Sequence, residues 1–266
     1  PYIPNFNGRY IEPFFGGGAM FFHLEHNNAV INDINAPLMN FYRSVQQNFG
    51  ALSEELAGLE AIYNSNRAVF EAQKQLHPDE KVEDANEPLY YHLRDMYNGL
   101  IPAEYSDAAL YFYINKIAYS GMIRYNARGE YNVPYGRYKN FNTGMITEAH
   151  HNLLANTEIH NGDYGQIFNL AMPEDFIFLD PPYDCIFSDY GNEEYREGFN
   201  EANHRQLAQD YFNLGCRALM VIGATPLTRE LYGGHIITEY DKNYSVNIRN
   251  RFQAEAIHLL ITNYEL

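Results

Sequence analysis

The apolar run at 176–179 and the turn after it restrict the fold of this chain more than any other feature. The run reads Phe-Ile-Phe-Leu, which is typical of a strand buried on both faces of a parallel sheet. It leads directly into Asp180-Pro181-Pro182-Tyr183. Proline fixes φ and has no backbone N–H, so the carbonyls of this turn face outward as acceptors. The sequence therefore predicts a buried strand whose carboxyl end presents a carboxylate, backbone carbonyls and an aromatic ring.

The chemistry of this turn favours a planar ligand. Hydrogen-bond acceptors beside a flat aromatic ring suit a planar group with an exocyclic amine, such as an adenine removed from its stack. An Asp-Pro-Pro sequence also occurs as an ordinary turn, so for the tetrapeptide alone that alternative stays open.

A second informative feature is a glycine-rich turn near the N-terminus. A short apolar segment at 10–13 is followed by Gly16, Gly17 and Gly18, and then by a helical pattern at 19–24. Glycines between a strand and a helix allow the backbone to approach a nucleotide-like cofactor closely. The dinucleotide-binding fingerprint needs a third glycine after the first two, and neither way of aligning it with the glycines at 16–18 supplies one. This disfavours nicotinamide and flavin cofactors. A plain glycine turn is the alternative.

Strand-like segments recur along the chain, and helical patterns separate most of them. The segments lie near 9–13, 29–32, 157–161, 175–180, 217–223, 235–240 and 256–263. This alternation predicts an α/β fold with a mostly parallel sheet. The interval between Asp33, which follows the second segment, and the segment near 157 is far longer than a crossover helix needs. We therefore expect an inserted domain.

The inserted part combines helical patterns with a hairpin. Helices are predicted at 37–49, 51–59, 68–76, 87–97 and 108–118, and a segment at 145–155 returns the chain to the sheet. The charged stretch 77–87 is predicted to be a loop. We expect an α/β domain split into 1–36 and 150–266, with 37–149 inserted.

The charge of the chain is strongly negative but unevenly distributed. The net charge of −16 argues at first against a nucleic-acid partner, because phosphate contacts need cations. Twelve acids and four bases lie between residues 51 and 110, whereas residues 115–140 contain five bases and one acid. A smaller basic cluster consists of Lys242, Arg249 and Arg251. Nucleic-acid binding is compatible with this distribution, and we expect it to weaken steeply with salt.

The composition also predicts the cellular location of the protein and argues against a metal site. No apolar stretch approaches the ~20 residues that span a bilayer, and no secretory signal is visible. Cys185 and Cys216 do not have the spacing of metal ligands. We expect a cytoplasmic protein without a metal, a membrane contact or an obligate protein partner.

Several motifs together resemble the Dam-type (D12 class) adenine-specific DNA methyltransferases. They are Glu-Pro-Phe-Phe-Gly-Gly-Gly at 12–18, Asp-Ile-Asn at 33–35, the long block at 124–138, the turn at 180–183 and Leu-Ile-Thr-Asn-Tyr at 260–264. The resemblance implies a Rossmann-like sheet that binds S-adenosylmethionine, with an inserted helical and β-hairpin DNA-recognition domain. It also implies methyl transfer to the exocyclic N6 of a flipped adenine. The expected substrate is a short palindrome in double-stranded DNA, similar to GATC.

The resemblance assigns expected roles to individual residues. The expected catalytic residues are Asp180, Pro181, Pro182 and Tyr183. The residues expected at the cofactor are Glu12, Phe14, Gly16, Gly18, Asp33, Asp163 and Asp180. The residues expected at DNA are Lys116, Tyr119, Ser120, Met122, Arg124, Asn126, Arg128, Pro134, Arg137 and Lys139.

The expected chemistry depends on hydrogen-bond acceptors. The adenine N6 is a poor nucleophile because its lone pair is delocalised. By resemblance, the Asp180 side chain and the Pro181 carbonyl accept its two N–H groups and shift the nitrogen towards tetrahedral geometry. The ring of Tyr183 is expected to stack on the base. The proton can leave to water afterwards, so no dedicated base is expected.

Most of these cofactor and DNA roles have a structural alternative. Asp33 is expected at the ribose hydroxyls and Asp163 at the cofactor's adenine, but either could instead cap a helix. Glu12 could approach the cationic cofactor or only hydrogen-bond the turn. Arg124 could contact a guanine or a phosphate. Tyr119 is expected to wedge into the base stack, although tyrosines at such spacing usually belong to a core.

The sequence also departs from the family in two places. The family has a further cofactor motif, with an aromatic residue, glycines and a lysine, before the glycine-rich turn. The chain begins at Pro1 without it, and we expect a truncated or late-starting sequence rather than a circular rearrangement. At 223–225 the sequence is Gly-Ala-Thr where the family often has Ser-Asn, which we expect to alter only the pocket wall.

Two other functions remain as alternatives. One is methyl transfer to RNA or to a protein amide, and the other is a non-catalytic DNA-binding relic. The basic hairpin favours DNA over the first, and the intact turn at 180–183 argues against the second. A restriction endonuclease of the same system is a further candidate partner.

Overall fold

The computed structural model describes residues 2–183, 199–242 and 256–265. The chain forms two compact units. The first unit consists of Pro1–Ala36 and Asn156–Leu266, and the second of Pro37–Ala155. The insertion expected at 37–149 lies within the second unit, which extends to the end of the helix Glu148–Ala155.

The first unit is built on a seven-stranded sheet. Its strands are β1 (Tyr10–Glu12), β2 (Ala29–Asp33), β3 (Thr157–Asn161), β4 (Phe176–Leu179), β5 (Arg217–Gly223), β6 (Ile236–Lys242) and β7 (Ala256–Thr262). The order is β3-β2-β1-β4-β5-β7-β6. The first five strands in this order are parallel, whereas β7 is antiparallel to both β5 and β6. The seven predicted strands and the mostly parallel α/β architecture are therefore confirmed.

The α-helices of the described residues follow the expected alternation. They are α1 (Ala19–Leu24), α2 (Ala36–Gln47), α3 (Phe49–Leu76), α4 (Asn86–Tyr97), α5 (Asp107–Ile117), α6 (Glu148–Ala155), α7 (Tyr164–Phe168), α8 (Glu201–Phe212) and α9 (Pro226–Tyr232). Capping boxes at Asn200 and Thr225 begin α8 and α9, and Pro226 pre-sets φ at the first position of α9. No α-helix in the described part of the chain has the length and apolar character needed to cross a membrane.

The order of the strands reverses at β1, and this places the candidate site. β1 pairs with β2 on one side and with β4 on the other. In an open parallel sheet, ligands bind at the carboxyl ends of the strands beside such a reversal. The glycine-rich turn follows β1 and Asp180 follows β4, so both lie at this edge. β1 and β4, which lead to this edge, run through the core, where Ile11 and Ile177 are fully buried.

The second unit is organised around α3, where one sequence prediction is wrong. Two helices were expected, at 51–59 and 68–76, but α3 is continuous. Leu59 and Tyr63 are both fully buried and keep one face of the helix in the core across the Asn-Ser-Asn stretch at 64–66. Such packing overrides weak local helix propensity.

The loop between α3 and α4 is more structured than its polar sequence indicates. Most of residues 77–83 are exposed, as expected. Asp84, however, is buried, and its carboxylate accepts hydrogen bonds from the backbone N–H of Asn86 and the hydroxyl of Tyr135, both at 3.1 Å. Arg67 of α3 lies 3.6 Å from the same carboxylate. Asp84 therefore joins this loop to α3 and to the segment that contains Tyr135.

Candidate cofactor and nucleic-acid sites

The glycine-rich turn after β1 combines two kinds of glycine. Gly16 has φ +48°, and a Cβ there would meet no atom within 4 Å. Gly18 has φ +64°, and a Cβ there would collide with the ring of Phe15. Both positions require the left-handed backbone that glycine adopts readily. Gly18 is needed for packing within the turn, whereas Gly16 leaves open space beside the backbone.

Asp33 connects this turn to the end of β2. One carboxylate oxygen accepts the backbone N–H of Gly16 and the other accepts that of Asn35, both at 2.9 Å. Burial raises the pKa of Asp33, although these hydrogen bonds oppose the rise. The bond to Asn35 lies before α2 begins, so Asp33 does not act as the N-cap of that helix.

Asn32 is a structural member of the site that the sequence analysis missed. Its side-chain amide donates to the carbonyls of Pro13 and Gly162, each at 2.9 Å. It therefore ties together the loops that follow β1 and β3. The available signal was an amide side chain directly after the apolar residues at 29–31 of β2, where a buried amide must find partners.

Glu12 is an acidic group held inside the protein at the end of β1. Its side chain is only 3% exposed and accepts a hydrogen bond from the hydroxyl of Tyr10. Burial raises the pKa of Glu12 to about 8, and the negative charge of Asp180 contributes in the same direction. No Lys or Arg of the described residues forms an ion pair with Glu12. A cation bound beside it would favour its charged form.

Asp163 has the structural role that the sequence left as an alternative. It is the N-cap of α7, and its carboxylate accepts the backbone N–H of Gly165 at 2.8 Å. The ring of Phe14 packs beneath the same region, 5.2 Å from Tyr164 and 6.2 Å from Phe199 between ring centroids. Asp163 remains exposed at the carboxyl end of β3.

The turn after β4 presents an exposed carboxylate beside an aromatic ring. Asp180 is exposed and Pro181 is buried. The hydroxyl of Tyr183 donates to Oδ1 of Asp180 at 2.9 Å. The ring of Tyr183 contacts His258 edge to face, with centroids 5.0 Å apart. The acceptor and the stacking surface expected from the sequence therefore lie side by side.

His258 and Gly223 support the ring of Tyr183; the sequence analysis placed Gly223 in the pocket wall and did not assign a role to His258. They face each other in the pairing of β5 with β7. His258 is buried, and a Cβ on Gly223 would lie 3.7 Å from Cγ of Tyr183. The departure from the family at 223–225 therefore borders the aromatic ring of the site, and Thr225 caps α9.

The hairpin of the second unit has a tight turn, and isolated β-bridges join its two arms. Tyr125 and Tyr131 form an antiparallel bridge, and Ala118 forms another with Tyr135. The side chain of Asn126 closes the turn by accepting the backbone N–H groups of Arg128 and Glu130. Asn126 was expected at DNA, and its side-chain oxygen is used to build the turn.

Side chains from α3, from α4 and from Asn98, the residue after α4, hold the hairpin by its backbone. Asn98 donates to the carbonyl of Tyr131 at 3.0 Å and accepts its N–H at 2.8 Å. The Tyr90 hydroxyl donates to the carbonyl of Val133 at 2.9 Å. The Tyr63 hydroxyl donates to the carbonyl of Tyr138 at 2.7 Å. The hairpin backbone is thus anchored although its two arms pair little with each other.

The candidate intercalating segment is exposed and has unusual backbone geometry. The turn Tyr119–Gly121 contains Ser120 at φ +55°, and Tyr119 is 54% exposed. Tyr111 and Tyr113 are buried in α5, as expected for core residues. Exposure and a left-handed backbone at a non-glycine residue are typical of a functional turn.

The remaining DNA candidates lie at the surface of the second unit. The exposed ones are Lys116, Arg124, Arg128, Pro134, Arg137 and Lys139, and Met122 is half-buried. Arg137 has φ +56° and forms an ion pair with Glu87 at 3.1 Å. The side chains of the second basic cluster, Lys242, Arg249 and Arg251, lie outside the described residues. Among the described residues, no group of three or more His, Cys, Asp or Glu side chains could hold a metal ion.

Comparison with known proteins identifies the family. Residues 1–246 match the sequence model of the D12 class N6 adenine-specific DNA methyltransferases. Type II methyltransferase M.CviBI of Paramecium bursaria Chlorella virus NC1A is 35% identical over 271 residues, covering 99% of this chain and 92% of that protein.

More distant relatives agree with this match. Type II methyltransferase M.MjaIII of Methanocaldococcus jannaschii is 30% identical over 271 residues, covering 96% of this chain and 88% of that protein. The DNA adenine methylase of Haemophilus influenzae is 26% identical over 243 residues, covering 87% and 76%. The chain belongs to the D12 class of N6 adenine-specific DNA methyltransferases.

Proposed function

We propose that the protein transfers a methyl group from S-adenosylmethionine to the N6 of a flipped adenine in a short, GATC-like palindrome of duplex DNA. The observation that supports this most is the exposed Asp180 carboxylate beside the ring of Tyr183, at the edge of the sheet where the glycine-rich turn also lies. An acceptor, an aromatic surface and a cofactor turn are the parts that N6 methylation needs.

The residues at the carboxyl ends of β1 and β2 fit the cofactor. Gly16 leaves open space beside a backbone that Asp33 holds in place. Buried Glu12 has no basic partner among the described residues, and a sulfonium or ammonium cation beside it would favour its charged form. S-adenosylmethionine, when bound, supplies an electrophilic methyl group. Glu12, Gly16 and Gly18 would border it, and Phe14 supports the turn from beneath.

Asp33 and Asp163 are the proposed contacts to the nucleoside part of the cofactor. Both oxygens of Asp33 already accept backbone N–H groups, and each retains a second lone pair for a ribose hydroxyl. Asp163 caps α7 through one oxygen, and its exposure keeps the carboxylate accessible to an exocyclic amine.

The catalytic contribution of the protein is to orient the amine. Asp180 and the Pro181 carbonyl accept the two N6–H groups and localise the nitrogen lone pair. Pro182 fixes the direction of the turn, and the Tyr183 ring stacks on the flipped base. Because both acceptors are fixed before the base arrives, little reorganisation is needed during the reaction.

The second unit supplies the proposed DNA contacts. Arg124 reads a guanine, and Tyr119, with Ser120 and Met122 beside it, fills the space left by the flipped base. Pro134 lies next to this turn, since the Tyr119 N–H donates to its carbonyl at 2.9 Å. Asn126 shapes the hairpin. The proposed phosphate contacts are Lys116, Arg128, Arg137 and Lys139.

Names of the relatives support a place in a restriction–modification system. Two of the relatives described above are named type II methyltransferases. We therefore include a separate restriction endonuclease of the same specificity among the proposed partners. Digestion of methylated and unmethylated target DNA by such an endonuclease would test this directly.

The experiment that tests the function is transfer of labelled methyl groups from S-adenosylmethionine to unmethylated genomic DNA. Digestion to nucleosides and sequencing of modified positions then identify the product. Label in N6-methyladenine at one short motif is the expected result. Label only in RNA or protein, offered in parallel reactions, would contradict the DNA assignment. Cofactor and DNA binding without any transfer would indicate a relic.

A further inference from the structure

Arg124 and Asn132 face each other across the turn of the hairpin. The backbone N–H of Asn132 donates to the Arg124 carbonyl at 3.0 Å. In return, Arg124 Nε donates to Asn132 Oδ1 at 2.7 Å and Nη2 donates to the Asn132 carbonyl at 3.2 Å. The guanidinium of an exposed arginine is thus fixed by two hydrogen bonds to one neighbour.

These two bonds use one edge of the guanidinium. An arginine can present two forks of donors, one formed by Nε and Nη2 and the other by Nη1 and Nη2. Asn132 occupies the first fork. The second fork, with one N–H group of Nη1 and one of Nη2, has no carboxylate partner among the described residues. This second fork matches the O6 and N7 acceptors of guanine.

We propose that Asn132 is a positioning residue for sequence recognition, which holds Arg124 so that its Nη1–Nη2 edge reads a guanine. This inference rests on the proposed DNA methyltransferase function. A free arginine side chain loses much rotamer freedom when it binds. Fixing the guanidinium in advance reduces this loss and restricts the directions in which it can find acceptors.

Two single variants and their combination test the inference. Transfer rates and affinities are measured on the target duplex and on duplexes with single base-pair changes, for wild type, Arg124→Ala, Asn132→Ala and the double variant. Asn132→Ala is expected to lower discrimination roughly tenfold at one base pair, the same pair that Arg124→Ala affects. In the Arg124→Ala background, Asn132→Ala is expected to add no further loss of discrimination.

The conservative variant Asn132→Asp separates positioning from a general effect. It keeps an acceptor at the same position, so discrimination at that base pair is expected to be retained. Its added charge is expected to lower the affinity for every duplex alike. Loss of discrimination in Asn132→Asp equal to that in Asn132→Ala would overturn the inference.

Asn98→Ala serves as the matched control for the hairpin. It removes the two hydrogen bonds that hold Tyr131 without touching the Arg124 guanidinium. It is expected to weaken the binding of all duplexes to a similar extent. If Asn98→Ala lowered discrimination at the same base pair as Asn132→Ala, loosening of the hairpin would explain both results and the inference would fail.

The wild-type measurements separate this inference from the proposed function. If the wild type neither binds nor methylates any duplex selectively, the proposed function fails and the inference fails with it. If the wild type is selective but Asn132→Ala is equally selective, only the inference is overturned. An effect of Asn132→Ala that persists in full without Arg124 would show that Asn132 contacts DNA directly, and would also overturn it.

Discussion

At the residue scale, Tyr183 brings two different groups to the site, a ring and a hydroxyl. The ring packs against buried His258, and the hydroxyl donates to Asp180 at 2.9 Å. A stacking role needs only the ring, whereas the hydrogen bond fixes the orientation of the carboxylate. One substitution can therefore separate the two contributions.

Tyr183→Phe is expected to lower kcat roughly tenfold while base stacking is retained, because a hydrogen bond to a charged group is lost but the ring remains. Fluorescence of 2-aminopurine at the target position reports the stacking, and single-turnover transfer reports the chemistry. Tyr183→Ala is the comparison variant and should lose both. An unchanged rate in Tyr183→Phe would show that the hydroxyl does not orient Asp180.

Asp180 itself is expected to be needed for chemistry and not for DNA affinity. Asp180→Ala should reduce methyl transfer by at least about 10²–10³-fold, since one of two fixed acceptors is removed. Gel-shift affinity for the target duplex should stay within about threefold of wild type. Asp180→Asn, which keeps an acceptor oxygen, should retain more activity than Asp180→Ala. Normal turnover in Asp180→Ala would contradict the acceptor role.

Glu12 should make stability depend on pH in a specific direction. Burial raises the pKa of Glu12 to about 8, so the folded protein holds a proton that the unfolded chain releases at lower pH. The stability that depends on this proton is fully present at pH 4 and is lost as the pH rises to about 8. Glu12→Gln should therefore gain stability over wild type as pH rises, by about 1 kcal/mol or more at pH 8 relative to pH 5. Thermal unfolding of both proteins across this range measures the difference, and a constant difference would show that the pKa is not raised.

At the element scale, the hairpin depends on helices for its geometry. Its arms share only single bridges, and hydroxyl and amide groups of α3, α4 and the residue after α4 hold its backbone. Because α3 is continuous, Tyr63 lies in the middle of a rigid helix when it donates to the Tyr138 carbonyl. A break at 60–67 would have removed this anchor.

Tyr63→Phe should destabilise the second unit by about 1–3 kcal/mol, because its hydroxyl bonds the Tyr138 carbonyl and lies 3.1 Å from the Tyr135 hydroxyl. Denaturant unfolding measures the change. Tyr91→Phe is the matched control and should alter stability little, since Tyr91 is half-buried and its ring contacts Arg94 without involving the hydroxyl. Equal losses in both variants would contradict the anchoring role.

At the scale of the whole molecule, a net charge of −16 is combined with five exposed basic side chains at 116–139 in the second unit. Because the overall negative charge of the protein repels DNA, these basic side chains must supply the phosphate contacts. With four proposed phosphate contacts, the logarithm of affinity should fall with the logarithm of salt concentration with a slope of roughly −4. Arg128→Ala and Lys139→Ala should each reduce this slope by about 1 and weaken all sequences alike. A slope near zero would exclude these contacts.

Comparison of sequence and structure shows which features are local. The seven strands were predicted because apolar runs and turn residues lie within short windows. The positions of Gly16, Asp33 and Asp180 followed from the rule that parallel strands end at one edge. The prediction of two helices in place of α3 was wrong because weak helix propensity at 64–66 is a local signal, whereas the burial of Tyr63 depends on the tertiary structure.

The sequence by itself determined the fold class, the family and the chemical groups at the carboxyl ends of the strands, because these depend on residue types at fixed spacing. Only the tertiary structure decided which groups meet. It paired Asn32 with two loops, Tyr183 with His258, and Arg124 with Asn132. It also gave Asp163 its capping role. Such partners depend on strand register and chain direction, since hydrogen bonds act over about 3 Å between residues that can be distant in sequence.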